Sequence, residues 1–204
     1  MVALCALLAA IWLAMLVGGT GSLDVAIYRA LYIGDHSALT PAAIFVTDLG
    51  APQTLIIASF VIAAILWATG HVRTGAVLLA VVLLGRALSQ IQKMEIARVR
   101  PDIEPHLVAV TSKSFPSGHA SSAMVFYLTL ALLLTHRSPW RRWAAAAAIL
   151  LAILIGMSRV MLGVHWPSDV IGGWVFGLLW VLLTVRAAER LLIPASSPEQ
   201  VVKR

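Results

Sequence analysis

Long apolar runs recur along the whole chain, and no other feature of the sequence restricts its possible folds as strongly. Hydrophobic residues make up 60% of the 204 positions and charged residues only 12%, whereas soluble domains carry roughly 25% charged residues. Six stretches approach the ~20 apolar residues with which a helix crosses the hydrocarbon core of a membrane. They cover residues 2–18, 53–70, 74–92, 119–136, 142–162 and 169–192.

These runs predict helices and not membrane-spanning strands. In lipid, only helices and closed barrels satisfy every backbone group, and the runs lack the alternation of barrel strands. We therefore expect an all-α fold, an integral membrane bundle of six transmembrane helices. It forms one domain over residues 1–193, followed by a polar tail over residues 194–204. We take the first run as a retained span, because it lacks the basic start and the cleavage site of a signal peptide.

The basic residues indicate both what kind of partner the protein binds and how it is oriented in the membrane. A net charge of +6 suits anionic lipid headgroups, and the apolar excess argues against a nucleic-acid partner. Eight Lys and Arg side chains fall on the side of the termini and six on the other, and the turn HRSPWRRW at 136–143 is densely basic. By the positive-inside rule we expect cytoplasmic termini, with loops 19–52, 93–118 and 159–168 on the opposite face.

The first of three unusual segments on that opposite face is KMEIARVRP, residues 93–101. If the preceding helix continues, Lys93 and Arg100 are two turns apart and share one face, while Arg98 lies off that stripe. Two cations on one face repel each other unless an anion lies between them. The alternative is a basic collar that contacts lipid headgroups.

The second segment contains Pro116, Ser117, Gly118 and His119, just before an apolar run. Pro116 ends any preceding helix, Ser117 is a favourable N-cap, and Gly118 allows close approach of backbone or ligand. The first turn of the next helix presents free N–H groups, which form an anion site, and His119 beside it can donate a proton. The alternative is a capped helix start with a chance histidine.

The third segment is SRVMLGVHWPSD, residues 158–169. Arg159 offers a planar guanidinium that suits phosphate. His165 could act as a nucleophile, and Asp169, four residues later, could accept its other ring N–H and fix the tautomer. Trp166 and Pro167 interrupt the helix and place His165 at a bend. The alternative is a loop with a surface histidine and an N-cap aspartate.

Together the three segments describe phosphoryl transfer through a phosphohistidine. Cations and amides hold the phosphate oxygens, one histidine attacks, and another protonates the leaving alcohol. The cations could replace the metal that most such enzymes use, so we expect no cofactor and no metal. Cys5 is the single cysteine, which excludes an intramolecular disulfide and a cysteine-based metal motif.

The combined pattern resembles the three-part signature of the type 2 phosphatidic acid phosphatase family, and the similarity covers roughly residues 40–180. It implies a six-helix membrane core with a metal-independent site on the extracytoplasmic side that acts on lipid phosphates or diphosphates. It assigns His165 as nucleophile, Asp169 as its orienting partner and His119 as general acid. The implied phosphate cradle consists of Lys93, Arg100, Ser117, Gly118 and Arg159.

Several functions remain open within this interpretation. A compact chain suits a small bacterial inner-membrane enzyme that recycles undecaprenyl diphosphate, with phosphatidic acid, phosphatidylglycerol phosphate or a lipid A-type phosphate as other substrates. A phosphotransferase would pass the same phosphohistidine to a lipid alcohol, and a non-enzymatic lipid-phosphate carrier would use the charges to line a path. The sequence does not determine the oligomeric state.

A few further residues carry separate expectations. Arg86, inside the third run, either snorkels to the interface or pairs with Asp48 or a substrate phosphate. Trp140, Trp143, Trp166 and Trp174 lie near predicted span ends, as interface anchors do. Lys113 and His106 could contact a substrate headgroup. Three glycines allow close packing of helices: Gly172, Gly173 and Gly177.

Overall fold

The computed structural model describes residues 2–34 and 37–192, and its regular structure there is α-helical. Eight helices follow one another along this part of the chain. They are α1 (Val2–Gly18), α2 (Ser22–Leu31), α3 (Thr40–Asp48), α4 (Pro52–Ala68), α5 (Val72–Ile96), α6 (Gly118–Leu134), α7 (Arg141–Met161) and α8 (Pro167–Leu192). The predicted tail at 194–204 lies outside the described residues, and the division into one domain and a tail stays a prediction.

Six of these helices coincide, within a few residues, with the six predicted apolar runs. The other two, α2 and α3, lie in the segment 19–52 that we expected to be a loop. Helix α2 carries Asp24 and Arg29 among its apolar residues and is only 10 residues long, so it does not have the composition of a span. Helix α3 is 9 residues long and begins at a Thr-Pro pair, a start that suits proline in the first turn of a helix.

The span count depends on how bent helices are treated. By length and composition, α5, α7 and the first 19 residues of α8 can each cross a membrane. Two helix pairs, α1 with α2 at 92° and α3 with α4 at 43°, raise the number to five if each pair is one span. Helix α6 is apolar but shorter, with 17 residues. The all-α membrane bundle is thus confirmed, whereas the count of six stays a prediction.

Helix α6 lies at the centre of the bundle and packs against α4, α5, α7 and α8. Its closest neighbour is α8, and glycines make that approach possible. A Cβ on Gly173 would lie 2.8 Å from the carbonyl oxygen of Ser117, and one on Gly177 would lie 2.7 Å from the Cβ of Met124. A Cβ on Gly172 would come within 2.6 Å of the Phe115 ring. The prediction that these glycines allow close packing is confirmed.

The expectation that Trp166 and Trp174 are interface anchors is wrong. Trp174 of α8 donates its indole N–H to the carbonyl oxygen of Ala152 in α7 at 2.9 Å. Gly156 makes room for the ring, since a Cβ there would lie 2.4 Å from the indole nitrogen. Trp166 is buried and donates to a carbonyl oxygen of the α5–α6 connection at 3.1 Å. Trp174 therefore links α8 to α7, and Trp166 links the α7–α8 turn to the α5–α6 connection.

The two ends of the bundle differ in chemistry. The end of α5, the start of α6, the end of α7 and the start of α8 meet at one end, where polar and charged side chains are buried. The basic turn at 136–143 connects the opposite ends of α6 and α7. Between the two ends the outer surface is apolar, as lipid contact requires. Exposed examples are Leu13, Phe60, Ile65, Leu84, Leu154 and Leu183.

We expect the substitution Gly177→Ala to destabilise the bundle by about 1–3 kcal/mol, because the added methyl group would overlap Met124 at a tight helix contact. Gly18→Ala is the matched control, since a Cβ at Gly18 has no atom within 4 Å. Thermal unfolding of the purified protein in detergent measures the difference. Equal melting temperatures for the two variants would contradict the packing described for α6 and α8.

Candidate active site

Four helix ends enclose a cavity of about 240 Å³ at the charged end of the bundle. All three segments singled out in the sequence contribute to its wall, together with the start of α4 and the connection between α5 and α6. The lining residues are Pro52, Gln53, Arg86, Gln90, Lys93, Arg100, Ala109, Val110, Thr111, Ser112, Gly118, His119, Arg159 and His165. The two histidines of the sequence hypothesis thus face the same cavity, although more than 40 residues separate them.

His165 lies in the turn between α7 and α8, and its ring is 2% exposed. Its Nδ1 lies 3.3 Å from the Oγ of Ser114 and 3.4 Å from the Oδ2 of Asp169. Its Nε2 lies 3.2 Å from an Nη1 nitrogen of Arg100. Because a guanidinium has only donors, Nε2 accepts and Nδ1 carries the proton. The lone pair of Nε2 therefore faces the Arg100 guanidinium, and both residues line the cavity.

Burial lowers the pKa of His165 well below its ordinary value. Desolvation is the main cause, because a protonated ring loses hydration in this position. The positive charges of Arg100, Lys93 and Arg159 act in the same direction. His165 is consequently neutral at physiological pH, which is the form that can attack an electrophile.

Asp169 is fully buried in the first turn of α8 and connects several segments through its carboxylate. Its Oδ1 accepts from the Nη1 of Arg98 at 2.9 Å, and its Oδ2 accepts from the Ser114 hydroxyl and from the backbone N–H of Trp166. Its own carbonyl oxygen accepts from the N–H of Ser117 at 2.9 Å. Asp169 thus holds the His165 turn, the α5–α6 connection and the start of α6 together.

Arg98 is a site residue that the sequence analysis missed. Its Nη2 donates to the carbonyl oxygens of Met15 and Leu16 at the end of α1, at 2.9 and 2.7 Å, and its guanidinium lies 4.3 Å from the centre of the Phe115 ring. Cations favour the negative end of a helix dipole. No local pattern could have identified this role, because the hydrogen-bond acceptors of the Arg98 side chain are 70 to 83 residues away in sequence.

Lys93 and Arg100 line the cavity, but the geometry that the sequence analysis predicted for them is wrong. Helix α5 ends at Ile96, and Ala97 adopts a left-handed conformation with φ 50° and ψ 27°. The chain then leaves the helix axis, so Arg100 approaches the site from a non-helical segment. Lys93, by contrast, lies in the last turn of α5. It donates to the carbonyl oxygens of Lys113 and Ser114 at 2.6 and 3.2 Å.

Arg100 supports the cavity wall from the same connection. Its Nε donates to the carbonyl oxygen of Ser112 at 2.7 Å, and its Nη1 also donates to that of Val164. These bonds hold the guanidinium beside His165 and tie the 112–114 segment to the His165 turn. Arg100 therefore places a fixed positive charge beside the Nε2 nitrogen of His165.

The start of α6 agrees with the expected position, with Ser117 as N-cap residue and Gly118 as first helical residue. Gly118 and His119 line the cavity, next to the first-turn N–H groups. Ser117 is buried and does not line the cavity, and its hydroxyl has no hydrogen-bond partner among the described residues. Its expected contact with phosphate therefore stays a prediction.

Arg159, in the last turn of α7, is held from α3. Its Nη1 donates to the hydroxyl of Thr47 at 2.7 Å, and Asp48 interacts with it electrostatically. Its Nε is buried and, within the described part of the chain, has no hydrogen-bond partner. The unexpected helix α3 thus positions a cation that lines the cavity.

Other candidates from the sequence lie elsewhere. Lys113 is exposed and His106 bonds to the carbonyl oxygen of Pro101 at 2.8 Å, and neither lines the cavity. In residues 2–34 and 37–192, no three His, Cys, Asp or Glu side chains come together in a way that could hold a metal ion. The charged side chains that line the cavity are mostly cations. Such groups suit an anionic ligand.

Comparisons with known proteins agree with this geometry. The sequence profile of the PAP2 superfamily matches residues 74–192. The chain is 34% identical to phosphatidylglycerophosphatase B of Bacillus subtilis over 174 residues, which cover 83% of this chain and 85% of that protein. It is 38% identical to an undecaprenyl-diphosphatase of Sulfolobus acidocaldarius over 104 residues, about half of each chain, 48% in both cases.

A solved structure supports the same assignment. The crystal structure of a transmembrane PAP2-type phosphatidylglycerolphosphate phosphatase from Bacillus subtilis superimposes with a TM-score of 0.83 and 31% sequence identity, covering 92% of this chain and 96% of that one. The chain is therefore a multi-pass membrane protein and a phosphoric ester hydrolase that belongs to the PAP2 superfamily.

Proposed function

We propose that this protein hydrolyses a lipid phosphate or lipid diphosphate through a phosphohistidine on His165, without a metal ion. The observation that carries the proposal is the arrangement around His165. A buried neutral imidazole has its Nδ1 next to Ser114 and Asp169 and its Nε2 next to Arg100, in a cavity lined with further cations. This is the arrangement of an activated nucleophile in front of an anion site.

In the first half-reaction the lone pair of His165 Nε2 forms a bond to phosphorus. The bond between phosphorus and the lipid oxygen breaks, and its electron pair leaves on that oxygen. His119 donates a proton to the leaving oxygen, since bound phosphate offsets the surrounding cations and so favours the protonated imidazole. Asp169 and Ser114 stabilise the positive charge that develops on the His165 ring.

In the second half-reaction water replaces the lipid. His119, now neutral, accepts a proton from a water molecule whose oxygen attacks phosphorus. The nitrogen–phosphorus bond breaks, and its electron pair returns to His165 as inorganic phosphate leaves. Both steps have the same charge requirement, because negative charge on the phosphoryl oxygens is stabilised by Lys93, Arg100, Arg159 and the N–H groups at the start of α6.

The membrane orientation follows from charge. The cavity and the basic turn at 136–143 belong to opposite ends of the bundle. A short, densely basic turn favours the cytoplasmic face. We propose that the protein resides in the bacterial inner membrane with cytoplasmic termini, and that its site opens at the periplasmic face.

Undecaprenyl diphosphate is the substrate we favour, and phosphatidylglycerol phosphate and phosphatidic acid come next. Two observations support lipids of this kind. Relatives of the chain carry the names undecaprenyl-diphosphatase and phosphatidylglycerophosphatase, and the cavity lies next to the apolar part of a membrane bundle.

The decisive test is phosphate release by the purified protein in detergent. We expect activity to persist in EDTA, and His165→Asn to lower it by about 10³-fold or more, because the nucleophile is lost. Brief exposure to a ³²P-labelled lipid phosphate should label the wild-type protein at an acid-labile, base-stable site that His165→Asn lacks. The matched control is His71→Asn, an exposed histidine at the opposite end of the bundle. Activity that requires added magnesium would falsify the mechanism.

A second prediction concerns the protonation of His165. We expect the ring to stay neutral, with its proton on Nδ1, at pH values well below 6.5, because burial and neighbouring cations lower its pKa. Arg100→Met should raise the pKa of His165 toward the ordinary value, since it removes the largest of the charge effects. Nitrogen NMR of histidine-labelled protein measures both quantities, with His165→Asn identifying the resonance and Arg142→Met as control. A wild-type ring that becomes protonated near pH 6.5 contradicts the neutral nucleophile.

A third prediction concerns the ion pair behind the nucleophile. Arg98→Met leaves the buried carboxylate of Asp169 without its cation, so we expect a loss of about 3–5 kcal/mol of stability. The double variant Arg98→Met/Asp169→Asn removes both charges and should unfold at a higher temperature than Arg98→Met alone. Thermal unfolding in detergent compares the three proteins. If the double variant is the least stable, the two residues do not form the pair described here.

A further inference from the structure

Arg86 is a cation of the cavity that the mechanism above does not use. It lies on α5 seven residues before Lys93, so it is about 10 Å deeper along the same face of the helix. It is half-buried and lines the cavity. A Cβ built on Gly118 would lie 3.1 Å from its Nη1, which places the guanidinium against the first residue of α6.

No hydrogen bond or ion pair to Arg86 is present among the residues that the structure describes. Of the alternatives expected for Arg86, the pairing with Asp48 is not formed among the described residues, and Asp48 acts on Arg159. The electrostatic neighbours of Arg86 include Lys93 and His119, and the start of α6 adds the positive end of a helix dipole. An unpaired charge inside a membrane protein is costly and marks a functional site. An anion between Arg86 and these groups removes the repulsion.

A second polar group lies on the same face of α5. Gln90 is four residues from Arg86 and three from Lys93, so its side chain lies between the two cations. It lines the cavity, and its buried amide oxygen has no hydrogen-bond partner within the described residues. Gln53, at the start of α4, lines the cavity as well. An amide can donate to a phosphoryl oxygen or accept from a hydroxyl group.

Apolar side chains lie next to Arg86 on the side that faces the middle of the bundle. Leu55 of α4, Val82 of α5 and Val125 of α6 border a narrow crevice that also contacts Arg86. Arg86 therefore lies at the boundary between the charged cavity and the apolar part of the bundle. A group that joins a phosphate to a lipid chain would occupy this boundary when the terminal phosphate lies at His165.

We infer that Arg86 and Gln90 form a second phosphoryl subsite, which binds the phosphoryl group that stays on the lipid. This inference rests on the proposed function and narrows its substrate to lipids with two phosphoryl groups. Two classes of lipid carry two phosphoryl groups in this way. In a lipid diphosphate the second phosphoryl is bonded to the first through one oxygen, and in a phosphatidylglycerol phosphate a glycerol separates the phosphate from a phosphodiester.

The subsite also has a consequence for the reaction of a diphosphate. His165 Nε2 bonds to the terminal phosphorus, and the bond from that phosphorus to the bridging oxygen breaks. The electron pair leaves on the bridging oxygen, so the remaining lipid monophosphate gains negative charge next to Arg86. A lipid monophosphate also takes the electron pair on its leaving oxygen, but it departs as an alcohol that His119 has protonated and carries no phosphoryl group for Arg86 to bind. Arg86 therefore stabilises the leaving group only when a second phosphoryl is present.

The experiment compares matched substrate pairs with wild-type protein and Arg86→Met. One pair is farnesyl diphosphate with farnesyl phosphate, and the other is phosphatidylglycerol phosphate with phosphatidic acid of the same acyl chains. We expect Arg86→Met to lower kcat/KM by about 10- to 100-fold for the member with two phosphoryl groups, and by less than about threefold for its partner. Arg73→Met is the control, an exposed arginine of the same helix at its opposite end. A loss in only the first pair indicates a diphosphate, and a loss in only the second indicates a phosphodiester.

A binding measurement covers the case in which Arg86→Met folds poorly. Inorganic pyrophosphate should inhibit the wild-type protein at least about tenfold more strongly than orthophosphate, and Arg86→Lys should retain part of this difference. Equal losses on both members of each pair, no loss on any substrate, or equal inhibition by the two anions overturns the subsite while the proposed function stands. If wild-type protein and His165→Asn release phosphate from all four lipids equally slowly, the proposed function fails and the subsite with it.

Discussion

The buried carboxylate of Asp169 is the group on which the geometry of the site depends. Its side chain binds Arg98, Ser114 and the turn that carries His165, and its backbone carbonyl accepts from Ser117 at the start of α6. A buried charge is stable only when it is paired and fully hydrogen-bonded. The same bonds that satisfy Asp169 therefore fix the distance between α8, α6 and the connection after α5. The close approach of α6 and α8, which their glycines allow, keeps the network short and dry.

The cavity itself has an excess of positive charge. Lys93, Arg100 and Arg159 are held by carbonyl and hydroxyl oxygens of the protein and not by carboxylates. Such bonds orient the cations without neutralising them, so the site is preorganised for a phosphate dianion. The carboxylate of Asp169 is turned away from the cavity toward Arg98 and the far nitrogen of His165, and Asp48 acts on Arg159 from the end of α3. This division lets the pocket attract phosphate and, in the proposed mechanism, leaves the Nε2 of His165 unprotonated for attack.

The sequence was sufficient for six of the eight described helices and for the histidines and most cations that line the cavity, and insufficient for the contacts that hold them. Apolar runs locate six helices because lipid requires helical backbone, and residues such as His119 and Gly118 stand out because a helix start is a local pattern. Arg98, Ser114 and Thr47 do not, since their roles depend on partners far away in the chain. The assumption that Lys93 and Arg100 share a helical face failed at Ala97, whose left-handed conformation no periodicity signals. Helix α3 was missed because it is too short for a span.

Helix α5 holds the cations Lys93 and Arg86 at a fixed spacing, and this spacing bears on which lipid the cavity accepts. Lys93 near the end of the helix and Arg86 two turns deeper lie on one rigid element, so the distance between the two cations cannot adapt to the substrate. His119 and Gly118, at the start of α6, lie opposite this face. In the proposed mechanism, the transferred phosphoryl group and the group that stays on the lipid therefore meet cations at fixed heights in the cavity, with His119, the proposed proton donor, near the boundary between them. A substrate with one phosphoryl group reaches only the upper cations, and the charge of Arg86 then lacks a counterion in the complex. The cost of that unpaired charge favours a lipid whose second phosphoryl group occupies the deeper position.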